Sequence, residues 1–200
     1  MIPHQFVDPS KFNSQLSLPY SLRIDNFASA MQDVYDFFHE VNSLLLDRGL
    51  PRLDDMLRPA AMSGILSDMI TASVAKQSRV LVENTFHNGH PDLVVQGRYP
   101  NNGVAAGEHG IEIKSTRNPG GSVDTHGARN QWMCVFGYVV DMETEPAAMR
   151  RPMKFSEVYL AEVEEGDFRR NLRGDRGTPT SSLHRLGLAK LRRGWLYRDL

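Results

Sequence analysis

Cysteine is nearly absent from this sequence. The one cysteine in 200 residues, Cys134, cannot form an internal disulfide, so a reducing, cytoplasmic compartment is the expected location. Long apolar runs are missing as well. No stretch approaches the ~18 to 20 residues a membrane span needs, and the opening MIPHQFVDPS lacks the basic-then-apolar layout of a signal peptide. No charge sign dominates: 23 Lys and Arg stand against 24 Asp and Glu, so the chain as a whole does not advertise a nucleic-acid binder. There is no internal repeat and no low-complexity segment. Neither a GxxxxGK phosphate loop nor a GxSxG elbow is found, which lowers NTPase and serine hydrolase and leaves no nucleotide cofactor to expect. With 40% hydrophobic and 24% charged residues, the composition is that of an ordinary globular domain and excludes a disordered, collagen-like or coiled-coil chain.

The patterning predicts a mixed α/β (α+β) domain with helices on a central sheet. Residues 1–24 carry three prolines and no period, and read as an irregular arm. Over 25–48, Phe27, Met31, Val34, Phe38, Val41 and Leu45 form one apolar stripe of a helix that Asp25 or Asn26 can cap and that Gly49 and Pro51 end. The stripe suits core packing and could also serve as a dimer seam. A second helix is predicted over 61–77, with Asp68 beside its apolar side. Strands follow at 79–86, 91–96 and 111–115, the first two joined by the turn HNGH, where Asn88-Gly89 is a hairpin signal. The segments 97–110 and 117–130 read as loops, the second with a helical turn near its end. Strands are predicted again at 131–141 and 158–163, with a charged loop over 142–155. A short basic helix over 183–193 precedes GWLY.

The chemistry lies in the middle of the chain. Pro91-Asp92 is separated by 19 residues from Glu112-Ile113-Lys114. Glu112 and Lys114 are two apart on a strand and therefore share a face, which Ile113 does not, so one face of the sheet is expected to be core and the other polar. If the strands carrying Asp92 and Glu112 are neighbours, two carboxylates and a lysine converge. Hard carboxylate oxygens with waters suit Mg²⁺ or Mn²⁺ rather than Zn²⁺. Such a cation polarises a phosphate oxygen and acidifies a bound water, and a lysine beside it can orient that water or offset charge at phosphorus.

Pro91-Asp92 with Glu112-Ile113-Lys114, in a helix–strand–strand–strand order, resembles the PD-(D/E)xK nuclease superfamily, the restriction-endonuclease-like group. The resemblance covers roughly 80 of the 200 residues. It implies a mixed sheet flanked by helices with an αβββαβ-type core and an N-terminal helical extension, although the helix after the third strand is poorly evident here. By position it implies Asp92 and Glu112 as metal ligands, the Ile113 carbonyl as a third, and Lys114 as the catalytic lysine. An acid from the helix before the first strand is a frequent addition, and Asp68 stands there, with Glu83 as a competitor. The implied organisation is a single nuclease domain: 1–60 arm and helix, 61–165 catalytic core, 166–200 basic tail. The implied activity is Mg²⁺-dependent hydrolysis of DNA phosphodiester bonds by a restriction-type endonuclease, with Mn²⁺ as a substitute, the 3′ oxygen as leaving group and a homodimer cutting two strands. The alternatives are a catalytically silent nuclease-fold module that binds DNA or protein, a phage or repair nuclease without sequence specificity, and a small metal-dependent hydrolase of a non-nucleic substrate.

Other polar residues carry weaker signals. Ser115 and Thr116 read as strand-end residues, and Gln131 as the start of a strand, though some superfamily members place a glutamine after the lysine. Asp124, His126, Arg129 and Asn130 form a dense polar group in a Gly-rich loop suited to gripping DNA, with His126 as a proton-transfer candidate. His87, His90 and His109 read as turn residues rather than a transition-metal set, and Cys134 as a buried structural thiol. Over 166–200, nine basic residues stand against three acids, and Arg185, Lys190, Arg192 and Arg193 are the candidates for a salt-dependent backbone grip.

Overall fold

A computed structural model describes residues 2–171 and 180–199. The chain runs through α1 (Ile24–Asp47), α2 (Leu53–Met56), α3 (Pro59–Gln77), β1 (Leu81–Glu83), β2 (Leu93–Val95), β3 (Gly110–Thr116), β4 (Asp124–Thr125), β5 (Gln131–Val139), β6 (Lys154–Val163), β7 (Phe168–Asn171), β8 (Thr180–Leu183), α4 (Arg185–Arg193) and β9 (Trp195–Arg198). Six strands make a mixed central sheet in the order β1-β2-β3-β5-β6-β9, and β4-β8-β7 make a small second sheet. Only β3 and β5 are parallel; the other central pairs are antiparallel. The protein is therefore a mixed α/β domain with helices flanking a mixed sheet.

The α1 stripe packs into the chain's own core. Phe27, Met31, Val34 and Phe38 are buried against Leu66, Ile70 and Val74 of α3 and against the sheet residues Ile111, Ile113, Cys134 and Phe136. The best-formed part of the stripe is thus not free as a dimer seam. The helix also starts one residue earlier than its apolar pattern suggests. Arg23 takes the N-cap position, and Asn26 reaches back so that its Oδ1 accepts the Arg23 N–H at 2.7 Å. The same amide donates through Nδ2 to the Gln77 carbonyl at 3.0 Å, tying the start of α1 to the end of α3. Cys134 is fully buried and its thiol is pushed up by burial, in keeping with a structural role.

Three sequence expectations need correction. The loop 117–130 contains no helical turn; it carries β4, which pairs with β8. The parallel connection from β3 to β5 is accordingly made by loop and a two-residue strand, without the crossover helix that an αβββαβ core has. The face of the sheet opposite α1 and α3 is not simply polar. Met133, Val135, Tyr159 and Val163 form a second core there with Leu183 of β8 and Leu191 of α4. The basic tail is structural for the same reason: α4 covers this second core, and β9 is an integral strand of the central sheet, with Leu196 and Tyr197 buried. Arg173, Asp175 and Arg176 lie outside the described residues. Among the described residues no helix is long and apolar enough to cross a membrane.

Candidate active site

The register of β2 against β3 brings the two halves of the motif together. Leu93 pairs with Ile111 and Val94 with Gly110 in antiparallel order. Asp92, one residue before Leu93, therefore lies alongside Glu112, one residue after Ile111. Gly110 permits this closeness: a Cβ there would stand 1.8 Å from the Leu93 carbonyl oxygen.

Asn84 holds the connection that delivers Asp92. Its backbone N–H donates to the Asp92 carbonyl at 2.9 Å, and its side-chain Nδ2 donates to the carbonyls of Pro91 and Val104, both at 2.9 Å. Its Oδ1 accepts from the Val104 N–H at 3.0 Å and the Phe86 N–H at 3.1 Å. Replacing Asn84 by alanine would leave several part-buried backbone groups without partners, so the Asn84→Ala variant is expected to lose about 1–3 kcal/mol of stability in chemical denaturation.

The side chains form a compact ionic network. Asp92 Oδ2 accepts the Ile113 N–H at 2.7 Å. Glu112 is 1% exposed, and its Oε1 lies 2.6 Å from Lys114 Nζ. His90 Nδ1 stands 3.2 Å from both Glu112 oxygens. An ionised carboxylate only accepts, so Nδ1 carries the proton in this contact. Burial, and then the neighbouring charge of Glu112, push the Asp92 carboxyl up to about 6. Burial would raise Glu112 as well, but the hydrogen bond from His90 and the Lys114 ammonium hold it below the ordinary carboxylate range. The two acids thus differ in partners: Glu112 has two side-chain donors, Lys114 and His90, and Asp92 has one backbone N–H. Burial opposes the charge on Lys114, yet Glu112 and Asp92 together keep its pKa above the usual lysine value, so it remains an ammonium at neutral pH.

Asp92, Ile113 and Lys114 open into a polar cleft of ≈ 820 Å³ between α3 and the segment after β3. Asp68 is exposed and lines this cleft from α3, as do Ser63 and Ser67. Glu83 does not line it; it is exposed on β1. Ser115 and Thr116 are wall residues whose hydroxyls are already engaged: Ser67 Oγ donates to Ser115 Oγ at 3.3 Å, and Thr116 Oγ1 donates to the Ser122 carbonyl at 3.0 Å. Asp124 and His126 reach the cleft, whereas Asn130 accepts the Glu165 N–H at 2.8 Å and belongs to the scaffold. Arg129 is close enough for its charge to act on Lys114. Gln131 is 3% exposed, and neither atom of its amide has a partner among the described residues. Since Glu112 faces Met133 across the parallel pair, Gln131 lies on the same sheet face as Glu112.

Two residues beside the site were not assigned to it from the sequence. His90 reads as part of a turn, yet it braces Glu112; its position two residues before Asp92 was the available signal. Arg117, directly after Thr116, is a cation on the cleft wall. His109 is elsewhere, bonded to Arg98 at 3.1 Å in a separate hollow with Tyr20 and Trp132. In α4, Lys190 is paired with Glu164 and Asp167 at 3.1 and 3.0 Å, while Arg185 and Arg193 are exposed.

The register places two carboxylates, Asp92 and Glu112, side by side, and hard carboxylate oxygens are the donor type that Mg²⁺ or Mn²⁺ takes. Among the described residues no group of three His, Cys, Asp or Glu side chains is gathered closely enough to hold a metal alone. Comparison of the sequence with protein-family models and with curated proteins returns no match.

Proposed function

We propose that this chain is a Mg²⁺-dependent DNA endonuclease of the restriction type, built on a restriction-endonuclease-like core. One observation carries the reading: Asp92, Glu112 and Lys114, with 19 residues between the two acids, lie side by side on paired strands, Asp92 and Lys114 lining one polar cleft and Glu112 buried behind them. The sheet supports it, since an antiparallel β1-β2-β3 unit followed by a parallel β5 is in keeping with the resemblance. The helix missing between β3 and β5 is the departure from it.

Asp92 and Glu112 would hold the cation, with the Ile113 carbonyl as a further ligand and Asp68 as the additional acid across the cleft. When bound, the cation would polarise a phosphate oxygen and acidify a water. His90 keeps the Glu112 carboxylate oriented. Lys114 keeps its proton on Nζ and presents a positive charge where negative charge accumulates at phosphorus during in-line attack, as the 3′ oxygen leaves. Arg185 and Arg193 of α4 are the proposed backbone grip, and two copies of the chain would serve the two strands of a duplex.

The test is incubation of supercoiled plasmid and phage DNA with Mg²⁺ or Mn²⁺. Discrete fragments support a sequence-specific endonuclease, and smearing or nicking keeps the nuclease but removes the restriction label. No cutting of single- or double-stranded DNA would overturn the reading. A second reading, a nuclease-fold module that binds without cutting, is favoured by the lack of a three-residue metal cluster among the described residues. Calorimetric titration with Mn²⁺ separates them: the module shows no binding that Asp92→Ala abolishes.

A further inference from the structure

The wall of the cleft opposite α3 is held from behind. Between β3 and β4 the chain turns at Gly120 and Gly121, both at φ +74°, a conformation that favours glycine. Both backbone groups of Gly120 are used. Its N–H donates to Glu157 Oε1, and its carbonyl accepts from Arg192 Nε at 2.8 Å. Glu157 lies in β6 and is 5% exposed. Its second oxygen accepts the Tyr159 hydroxyl at 2.7 Å, so this buried carboxylate has a donor on each oxygen. Space for it is left by Gly137 on the neighbouring strand, where a Cβ would come 2.5 Å from Glu157 Cγ. The fit at Gly120 is equally tight, since a Cβ there would sit 2.1 Å from an Arg192 guanidinium nitrogen. On either side of the pinned point, Arg117, Asn118, Ser122 and Val123 line the cleft.

We infer that Glu157 and Arg192 are positioning residues, which clamp the Gly120 peptide from its two sides and so fix the cleft wall that presents Arg117 and Asn118 to a bound nucleic-acid strand. This rests on the proposed nuclease reading. It assigns Arg192 to the wall and not to direct contact with phosphate. The distinction is chemical. A phosphate contact needs a positive charge, which lysine also supplies, whereas the donor to the Gly120 carbonyl is Nε, at a position along the side chain where lysine carries a methylene.

Arg192 is exposed, so its variants are suitable for the test. Hydrogen exchange is measured over 117–126 in wild type, Arg192→Ala, Arg192→Lys and Gly120→Ala, alongside kcat and KM for plasmid cleavage. All three variants are expected to exchange at least tenfold faster in this segment, with β5 and β6 unchanged. KM is expected to rise about tenfold, with kcat within threefold of wild type. Arg192→Lys behaving as wild type would overturn the clamp in favour of a charge contact. Unchanged exchange would overturn it outright, whatever the cleavage result. Faster exchange with unchanged KM would remove its role in substrate binding. If the wild type cuts no DNA while the variants loosen the segment, the nuclease reading fails and the substrate role fails with it, although the clamp itself is then demonstrated.

Discussion

Replacement of Lys114 by alanine should lower DNA cleavage by ~10²–10³-fold, the scale of losing one fixed charge-stabilising group. The loss should fall mainly on kcat. Lys114 pairs with Glu112 at 2.6 Å beside the cleft, and both acids keep its ammonium charged. Its contribution therefore grows as charge develops at phosphorus, and is smaller in the ground state. Lys114→Arg keeps the charge but moves it along a different stem, so it should recover only part of the rate. Glu112→Gln should cost at least as much, because it removes a proposed cation ligand and the anchor for both His90 and Lys114. Single-turnover cleavage with excess enzyme reads these effects without interference from product release. Full activity in Lys114→Ala would show that the chemistry lies elsewhere in the molecule.

The response to Mg²⁺ should disappear in Asp92→Asn. A cation present at 100 times its dissociation constant raises stability by about 2.7 kcal/mol, and this should be seen in wild type as a higher Tm at pH 7.5. The pH dependence follows from Asp92. Its carboxyl is pushed up to about 6 from the ordinary 3.8 by burial and by Glu112, so the folded state holds the proton more tightly than the unfolded chain. A raised acid contributes stability at low pH and loses it as pH climbs through the window from about 4 to about 6. Glu112 is held low and works in the opposite direction, so the clean measure is the difference between wild type and Asp92→Asn without metal. That difference should move against wild type between pH 4 and 6 and then level off. If Asp92 holds the cation as proposed, protons and Mg²⁺ compete for the same oxygen atoms, and the Mg²⁺-induced rise in Tm should be smaller at pH 5 than at pH 7.5. An equal rise in Asp92→Asn at both pH values would place the cation away from this carboxylate.

Much of the local structure was legible because period and turn chemistry are local properties. The 4-3-4-3 spacing of the α1 stripe gave away a helix, and the alternation of Glu112, Ile113 and Lys114 assigned opposite faces correctly. Ile113 lies in the core beneath α1 and α3, while Glu112 and Lys114 sit on the other side. The strands 79–86 and 91–96 shrink to three paired residues each, since apolar content does not say where pairing stops. The helical turn expected near the end of 117–130 is absent, and the loop carries β4 instead, because β8, more than 50 positions later, supplies its hydrogen-bond partner.

The sequence by itself determined the helix faces, the one buried thiol and the candidacy of Asp92, Glu112 and Lys114, because each depends on residue type and short spacing. Only the tertiary structure decided that these three share a point in space, through the pairing of Leu93 with Ile111 and the missing side chain at Gly110. It alone decided that His90 braces Glu112, that the basic α4 roofs a second core, and that Glu157 and Arg192 grip Gly120 from strands and helices far along the chain. Those contacts join residues tens of positions apart, and no local pattern encodes which distant backbone groups will be left needing a partner.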